Sequence, residues 1–318
     1  MKQKTLYIDA DTLVYQAAAK EEINKCLATN TLNGKSKMFE SKTAFNEWHK
    51  EKSQHPKEAY TFEVVKELVG EVSYACRSVR DKLSNLILLC EESYNCTDFR
   101  VCIQGAGNYR KSYKSEFVTY KGQRQEKPLL LSDVQAYVKR KYGDKCTVVE
   151  GEEVDDFVCK TAWQNWNPNG SIEDSPTLIS FCDKDVWQNS PGALINYMQL
   201  EQGAFWNTHE MQYKGFWGSV LTGDAADHID GVLILSEATK KRYGIKTNGC
   251  GKVAAARILS TVESEKEAAE RVLEVYKLSW PDDYMQRLQD MCFFLWLRRE
   301  DDEMFDLKKY LTKLSITY

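Results

Sequence analysis

Four short segments of this 318-residue chain concentrate carboxylates: IDAD with Asp9 and Asp11, EGEEVDD with Glu150, Glu152, Glu153, Asp155 and Asp156, CDKD with Asp183 and Asp185, and GDAAD with Asp224 and Asp227. Gathering such groups in one cleft is unfavourable through mutual repulsion and desolvation unless a cation neutralises them. Ligation by oxygen alone favours the hard ions magnesium and manganese. Two ions roughly 3.5 to 4 Å apart in such a cage activate an attacking water and stabilise a leaving oxygen, the chemistry of in-line phosphoryl displacement. Each segment alone has a plainer reading. An aspartate after a strand or before a helix commonly caps that helix, and Glu153, Asp155 and Asp156 open a helix whose dipole favours acids. Four independent caps of this density account for the pattern less simply than one shared acidic pocket.

The elements that must position these acids follow from the hydrophobic pattern. Strands are predicted at Thr5 to Asp9, Phe99 to Gln104, Thr147 to Glu150, Thr177 to Cys182 and Leu194 to Met198. Helices are predicted at Ser132 to Tyr142 and Val154 to Trp166. Such alternation gives an α/β fold with a mainly parallel central sheet, and its crevice lies beyond the carboxyl ends of the strands. Asp9, the pair Glu152 and Glu153, and the pair Asp183 and Asp185 fall there. The stretch from Ala28 to Ala59 reads as polar and irregular, and Phe62 to Leu89 has helical spacing. Residues 105–127, rich in Lys, Arg, Tyr and Gly, read as a long loop or two short helices projecting from a sheet edge. The last third reads as helical, with Thr208 to Leu221, Gly251 to Leu259 and an amphipathic tail from Ser264. The expected division is an α/β core over 1–206 and a helical region over 207–318.

Composition removes several classes. At 42% hydrophobic and 28% charged the chain is an ordinary globular one, and its longest near-apolar run, Leu83 to Cys90, is far short of the ~18 residues that a membrane span needs. The N-terminus lacks the apolar region and cleavage site of a secretory signal, so a cytoplasmic location is expected. Ten cysteines occur without a CxxC pair or a paired histidine spacing, which predicts reduced, mostly buried thiols and no zinc site. The chain carries 43 basic and 47 acidic residues, but with the eleven grouped carboxylates set aside only 36 acids remain, so the rest of the chain is mildly basic. An acidic pocket in a basic surround suits a polyanion delivered to bound cations.

IDAD, the stretch NYRKSYKSEFVTYKGQR, EEVDD, CDKD and GDAADHIDG stand in the order found in the structure-specific 5′ nucleases. The sequence resembles that family of flap endonucleases and 5′-to-3′ exonucleases, in particular those that tailed bacteriophages use in DNA replication and primer removal. The resemblance runs from Thr5 to about Leu259. It implies a PIN-like nuclease core with a basic arch insertion at 105–127 and a helical DNA-binding region carrying a helix–hairpin–helix type element at 221–260. It implies a magnesium-dependent hydrolase with two ions, manganese substituting, that cuts duplex DNA at a 5′ end, nick or flap to leave 5′-phosphates, and that also takes the RNA of RNA–DNA hybrids.

By the same resemblance, Asp9, Glu153 and Asp155 are ligands of the first ion, and Asp183, Asp185, Asp224 and Asp227 of the second, with Asp156 bridging or in the outer shell. Relatives often carry another aspartate where this chain has Gln104 and Gly105, which brings in Asp11 as an additional ligand. Lys121 and Arg124 resemble the arch residues that steady the scissile phosphate, and Tyr120 the aromatic beside it. Tyr109, Arg110 and Lys111 complete the expected nucleic-acid contacts, a mixture suited to phosphates and to stacking on an unpaired base. Gly249, Gly251 and Lys252 match the second half of the hairpin element, which in the family grips duplex phosphates and often holds potassium. The connection Val232 to Asn248 is longer than usual. Two other readings remain open on sequence alone: a nucleic-acid-binding protein of this fold without turnover, and a PIN-type ribonuclease.

Overall fold

The computed structural model describes residues 2–122 and 126–318. In chain order its strands and α-helices are β1 (Lys4–Asp9), α1 (Asp11–Ala19), β2 (Glu22–Asn30), β3 (Ser36–Phe39), α2 (Lys42–Lys52), β4 (Tyr60–Leu68), α3 (Val72–Tyr94), β5 (Cys96–Gln104), α4 (Leu131–Tyr142), β6 (Cys146–Val149) and α5 (Val154–Gln164). There follow β7 (Thr177–Phe181), α6 (Lys184–Asn189), β8 (Gly192–Asn196), β9 (Ala204–Asn207), α7 (His209–Thr222), β10 (Gly223–Asp224), β11 (Ile229–Asp230), α8 (Glu237–Tyr243), α9 (Lys252–Leu259), α10 (Glu265–Ser279), α11 (Tyr284–Leu295) and α12 (Leu307–Lys313). The chain forms two compact units: Met1–Asp11, Leu86–Gln125 and Asp144–Tyr318 make the larger, Thr12–Asn85 and Glu126–Gly143 the smaller.

The larger unit is built on a sheet of order β6-β5-β1-β7-β8-β9. Its strands are parallel except for the antiparallel edge strand β9, as the alternation of strand and helix patterns predicts. β7 is buried at every position, the pattern of a strand covered on both faces. The sheet is laid outward from β1 on one side through β5 and β6, and on the other through β7 and β8. The order therefore reverses between β1 and β7, and the crevice beyond their carboxyl ends is the topological switch point where ligands of such sheets bind.

The helices that follow share this unit. β9 passes through Asn207, whose side-chain amide donates to the carbonyls of Trp187 and Ser190 at 2.6 Å each, straight into α7. Helix α7 packs on α6, α10 and α11, with Phe216, Trp217 and Val220 wholly buried. The boundary expected at 206/207 thus falls within β9, inside one compact unit.

The smaller unit differs from its sequence reading. The stretch read as irregular holds β2, β3 and α2, and the start of the run read as helical is β4; only from Val72 does the helix begin. The antiparallel sheet β3-β2-β4 packs one face on Phe45 of α2, which meets Phe39, Trp48, Tyr60 and Phe62 with ring centroids 4.8 to 6.0 Å apart. Phe62, Val65 and Leu68 follow a helical period, and the long cross-strand pairing of β4 with β2 overrides it.

Candidate functional site

Asp9 ends β1 at the switch point and is 2% exposed, and its Oδ1 accepts from the backbone N–H of Asp11 at 3.2 Å. Its carboxyl shares a hydrogen bond with that of Asp155, in the first turn of α5. Burial, and after it the charges of Asp11 and Asp183, push Asp9 up to about 7. Asp155 is likewise raised well above the ordinary carboxylate range, by burial first and then by Asp9, Asp183 and Glu153. Asp183 caps α6 directly after β7, its Oδ1 accepting from the N–H of Asp185 at 3.1 Å. Among the described residues, no lysine or arginine forms an ion pair with Asp9, Asp155 or Asp183. Asp9 and Asp155 relieve their mutual repulsion, to which the charge of Asp183 adds, by sharing a proton. Asp11 stands at the same corner, with Oδ1 2.7 Å from the backbone N–H of Gln104. The side chain of Gln104 turns away to the Glu152 carbonyl at 2.8 Å, which leaves the carboxylate of Asp11 at this end of β5.

The remaining predicted ligands are matched to basic side chains. Asp156, wholly buried, accepts from Arg110 Nη1 at 2.5 Å and Nη2 at 2.8 Å, and from the backbone N–H of Arg298 at 2.9 Å. Glu153 caps α5 in a capping box with Asp156 and is bound by Lys121, by Arg110 at 3.3 Å and by the Tyr120 hydroxyl at 2.8 Å. Burial would raise the Glu153 carboxyl, but the charges of Lys121 and Arg110 outweigh it and hold it at about 2. Asp227 lies 3.4 Å from Lys121 Nζ. Lys184 Nζ bridges Asp185 at 2.9 Å and Asp224 at 2.8 Å. Burial and Asp183 raise Asp185 to about 6, whereas Lys184 outweighs burial at Asp224 and lowers it. Glu152 is also matched, pairing with Lys160 at 2.6 Å and Arg298 at 3.2 Å.

This arrangement bears on whether the acids fit divalent ions. Among the described residues, no group of three or more carboxylate, imidazole or thiol side chains is drawn together closely enough to hold one. The donor chemistry nevertheless fits at Asp9 and Asp155, hard oxygen donors that share a proton in place of a cation, with Asp183 nearby and no basic partner to the three among the described residues. At Asp156 it does not fit. The bidentate guanidinium of Arg110 satisfies that carboxylate in a buried ion pair, which does not suit a bridging ligand and leaves Asp156 the outer-shell place.

The basic segment departs from the projecting loop read in the sequence. Beyond one short 3-10 turn at Tyr109–Ser112 it is irregular, and its aromatic residues lie against the helical core. Tyr113 stacks on Phe293 at 3.9 Å and Tyr120 on Phe294 at 4.8 Å, while Tyr109 packs edge-on to Phe293 at 5.9 Å. Arg110 is 1% exposed and also donates to the Trp296 carbonyl at 2.5 Å, which leaves it no face for a phosphate. Tyr109 is enclosed by the guanidinium of Arg298, 3.7 Å from its ring centroid. Lys111 and Lys114 remain exposed. Lys121 adopts a left-handed backbone, φ 54°, with its N–H bonded to the Asp227 carbonyl at 3.0 Å. Arg124 lies outside the described residues.

The hairpin element closes on itself despite its long connection. β10 and β11 pair through Gly223 with Asp230 and Asp224 with Ile229. The ends of the 232–248 excursion are tied by Cys250 N–H to the Val232 carbonyl at 2.8 Å and Leu235 N–H to the Asn248 carbonyl at 2.7 Å. Gly249 permits this approach, since a Cβ there would meet the Leu233 carbonyl oxygen at 2.9 Å. Gly251 caps α9 in open surroundings, with Lys252 exposed beside it. Lys184 and Arg298 are site residues that no sequence motif singles out. The only clue to Lys184 was its place between the two acids of CDKD, and nothing in the sequence marked Arg298.

No protein-family model matches the chain, and no curated protein matches it. Among solved structures it is similar to a flap endonuclease of bacteriophage T5, as a pseudo-enzyme–product complex with DNA and metal ions: 12% identity, 98% of each chain covered, TM-score 0.38. It is also similar to a T5 protein co-crystallised with metal ions, at 11% identity over 92% of this chain and 99% of that one, TM-score 0.39. A variant of the T5 5′-exonuclease matches at 10% identity over 99% of this chain and 98% of that one, TM-score 0.37.

Proposed function

We propose that this chain is a divalent-metal-dependent 5′ nuclease that hydrolyses phosphodiester bonds of duplex DNA at a 5′ end, nick or flap, leaving 5′-phosphates, as part of phage DNA replication. RNA in RNA–DNA hybrids is a further substrate in this reading. The observation that carries it is the proton-sharing pair Asp9 and Asp155 with Asp183 beside them, at the switch point of a parallel sheet and without a basic partner among the described residues. The order and spacing of the motifs support the same reading. Asp9, Asp11, Asp155 and Asp183 would hold one magnesium ion, and Asp185, Asp224 and Asp227 a second, with manganese as a substitute. Bound there, such ions supply Lewis acidity toward a phosphodiester and lower the pKa of water.

The chain's own residues do the rest. Lys121, held against Glu153 and Asp227 by its ion pairs and by its backbone, would meet a phosphate oxygen on giving up those pairs. Lys111 and Lys114 offer exposed charge for the backbone of an approaching strand. Gly249, Gly251 and Lys252 would grip duplex phosphates at the hairpin, with potassium as its ion.

End-labelled nicked, gapped, blunt and flapped duplexes, each tested with and without magnesium, check the proposal, together with RNA and hybrid versions of the same substrates. Asp155→Asn and Asp185→Asn are expected to slow cleavage by at least about 100-fold while duplex binding persists. Cleavage by both variants at the wild-type rate would sink the assignment. Binding by the wild type that survives chelation and never yields product would favour the reading without turnover.

A further inference from the structure

We propose that Lys184 is a built-in counter-cation for one half of the acid cleft: it holds Asp185 and Asp224 together and competes with a divalent ion for them. Its departure is then the step that sets ion affinity. This rests on the metal-dependent reading above.

The geometry separates Lys184 from the other basic residues of the cleft. Its Nζ lies 2.9 Å from Asp185 Oδ1 and 2.8 Å from Asp224 Oδ2, carboxylates carried by different elements, α6 and β10. Those two carboxylates are largely shielded, at 17% and 9% side-chain exposure, while the lysine that joins them is 40% exposed. Arg110 offers the contrast. It is 1% exposed against a wholly buried Asp156, so that pair is fixed in the fold. Lys121 is intermediate, at 8% exposure, and its backbone is tied by the hydrogen bond to the Asp227 carbonyl.

Lys184 alone among these has both an acid pair to bridge and a path out to solvent. Its ammonium is a compact charge on a flexible four-carbon stem, so it can leave without disturbing the backbone. It is also the first residue of α6, where the helix dipole disfavours a cation, and the two carboxylates offset that. A single positive charge on two negative ones leaves the pair under-neutralised, which a divalent ion corrects. The lysine thus keeps the acids assembled in the absence of an ion and yields them to one, and the released ammonium is free to meet a phosphate.

The test is manganese binding to the whole chain, measured by calorimetry and by the loss of the free-ion paramagnetic signal, with thermal melts run alongside. Lys184→Met is expected to bind manganese about tenfold more tightly than the wild type and to gain a larger rise in melting temperature from the ion. Without the ion it should melt lower than the wild type. Lys184→Arg keeps the charge and should show no such tightening. Equal or weaker binding by Lys184→Met, or tightening as large in the arginine variant, would overturn the proposal while leaving the nuclease reading intact. If only Lys184→Met binds manganese, the lysine's role stands and metal use by the natural chain falls. If neither protein binds it, both fall.

Discussion

Glu265, at the start of α10, faces His209 Nε2 at 3.3 Å, the Tyr310 hydroxyl and Arg299 Nη2 at 3.6 Å. Burial would raise its carboxyl, but the hydrogen bond from His209, the charge of Arg299 and the hydroxyl of Tyr310 outweigh it and hold the group at about 2. A carboxyl lowered from 4.5 to about 2 on folding binds its proton less tightly in the native state than in the unfolded chain. Its contribution is therefore complete above the unfolded value and is lost as pH falls through the folded one. At neutral pH that contribution is on the order of 3 kcal/mol. Glu265→Gln is expected to lose stability of that order at pH 7 and to flatten the fall between pH 4.5 and 2, as read by urea melts at stepped pH. Parallel stability curves for the two proteins would refute it. Asp9 carries the opposite sign: raised to about 7, it favours the fold below its unfolded value and loses that contribution as pH rises through 7. The sequence marks the acids themselves but not which of them are balanced, because Arg110, Lys184 and Arg298 reach theirs through the tertiary fold.

Packing within single elements explains what was legible and what was not. The strands β1, β5, β6, β7 and β8 and helices α4, α5, α7 and α9 lie within a few residues of their predicted bounds, since each carries a run or period that admits one reading. The sheet β3-β2-β4 was missed because Lys, Glu and Asn alternate with its apolar residues, and one face alone is covered by α2. The acids at the strand ends were legible for the same reason as the strands. The docking of Tyr113 and Tyr120 on Phe293 and Phe294 was not, because both partners are aromatic residues far apart in the chain. The aromatic cluster around Phe45 should dominate the stability of its sheet, because the ring is wholly buried. Phe45→Ala is expected to cost about 3 to 5 kcal/mol through lost burial and the cavity left behind. Hydrogen exchange checks this at element resolution: the amides of β2, β3 and β4 should lose protection together. Unchanged protection there would mean that α2 contributes little to the sheet.

For the whole molecule the decisive quantity is where the charge lies, since a net charge of −4 gives no hint that its acids are concentrated. Divalent ions ordinarily weaken protein–DNA binding, because they compete with lysine and arginine for phosphates. Here Asp183 and the proton-sharing pair Asp9 and Asp155 still leave net negative charge without a basic partner among the described residues, so a duplex entering the cleft in the absence of ions meets repulsion first. Calcium, which fills hard oxygen sites without supporting rapid hydrolysis, should therefore tighten binding of a 5′-ended duplex by about 3- to 10-fold at constant ionic strength. A protein carrying both Asp9→Asn and Asp155→Asn should bind the duplex without calcium about as tightly as the wild type does with it, and should lose the response. Fluorescence anisotropy of a labelled flapped duplex separates the outcomes. If calcium only weakens binding, and does so equally in both proteins, the acids do not face the nucleic acid, and the cleft at the switch point serves some other ligand.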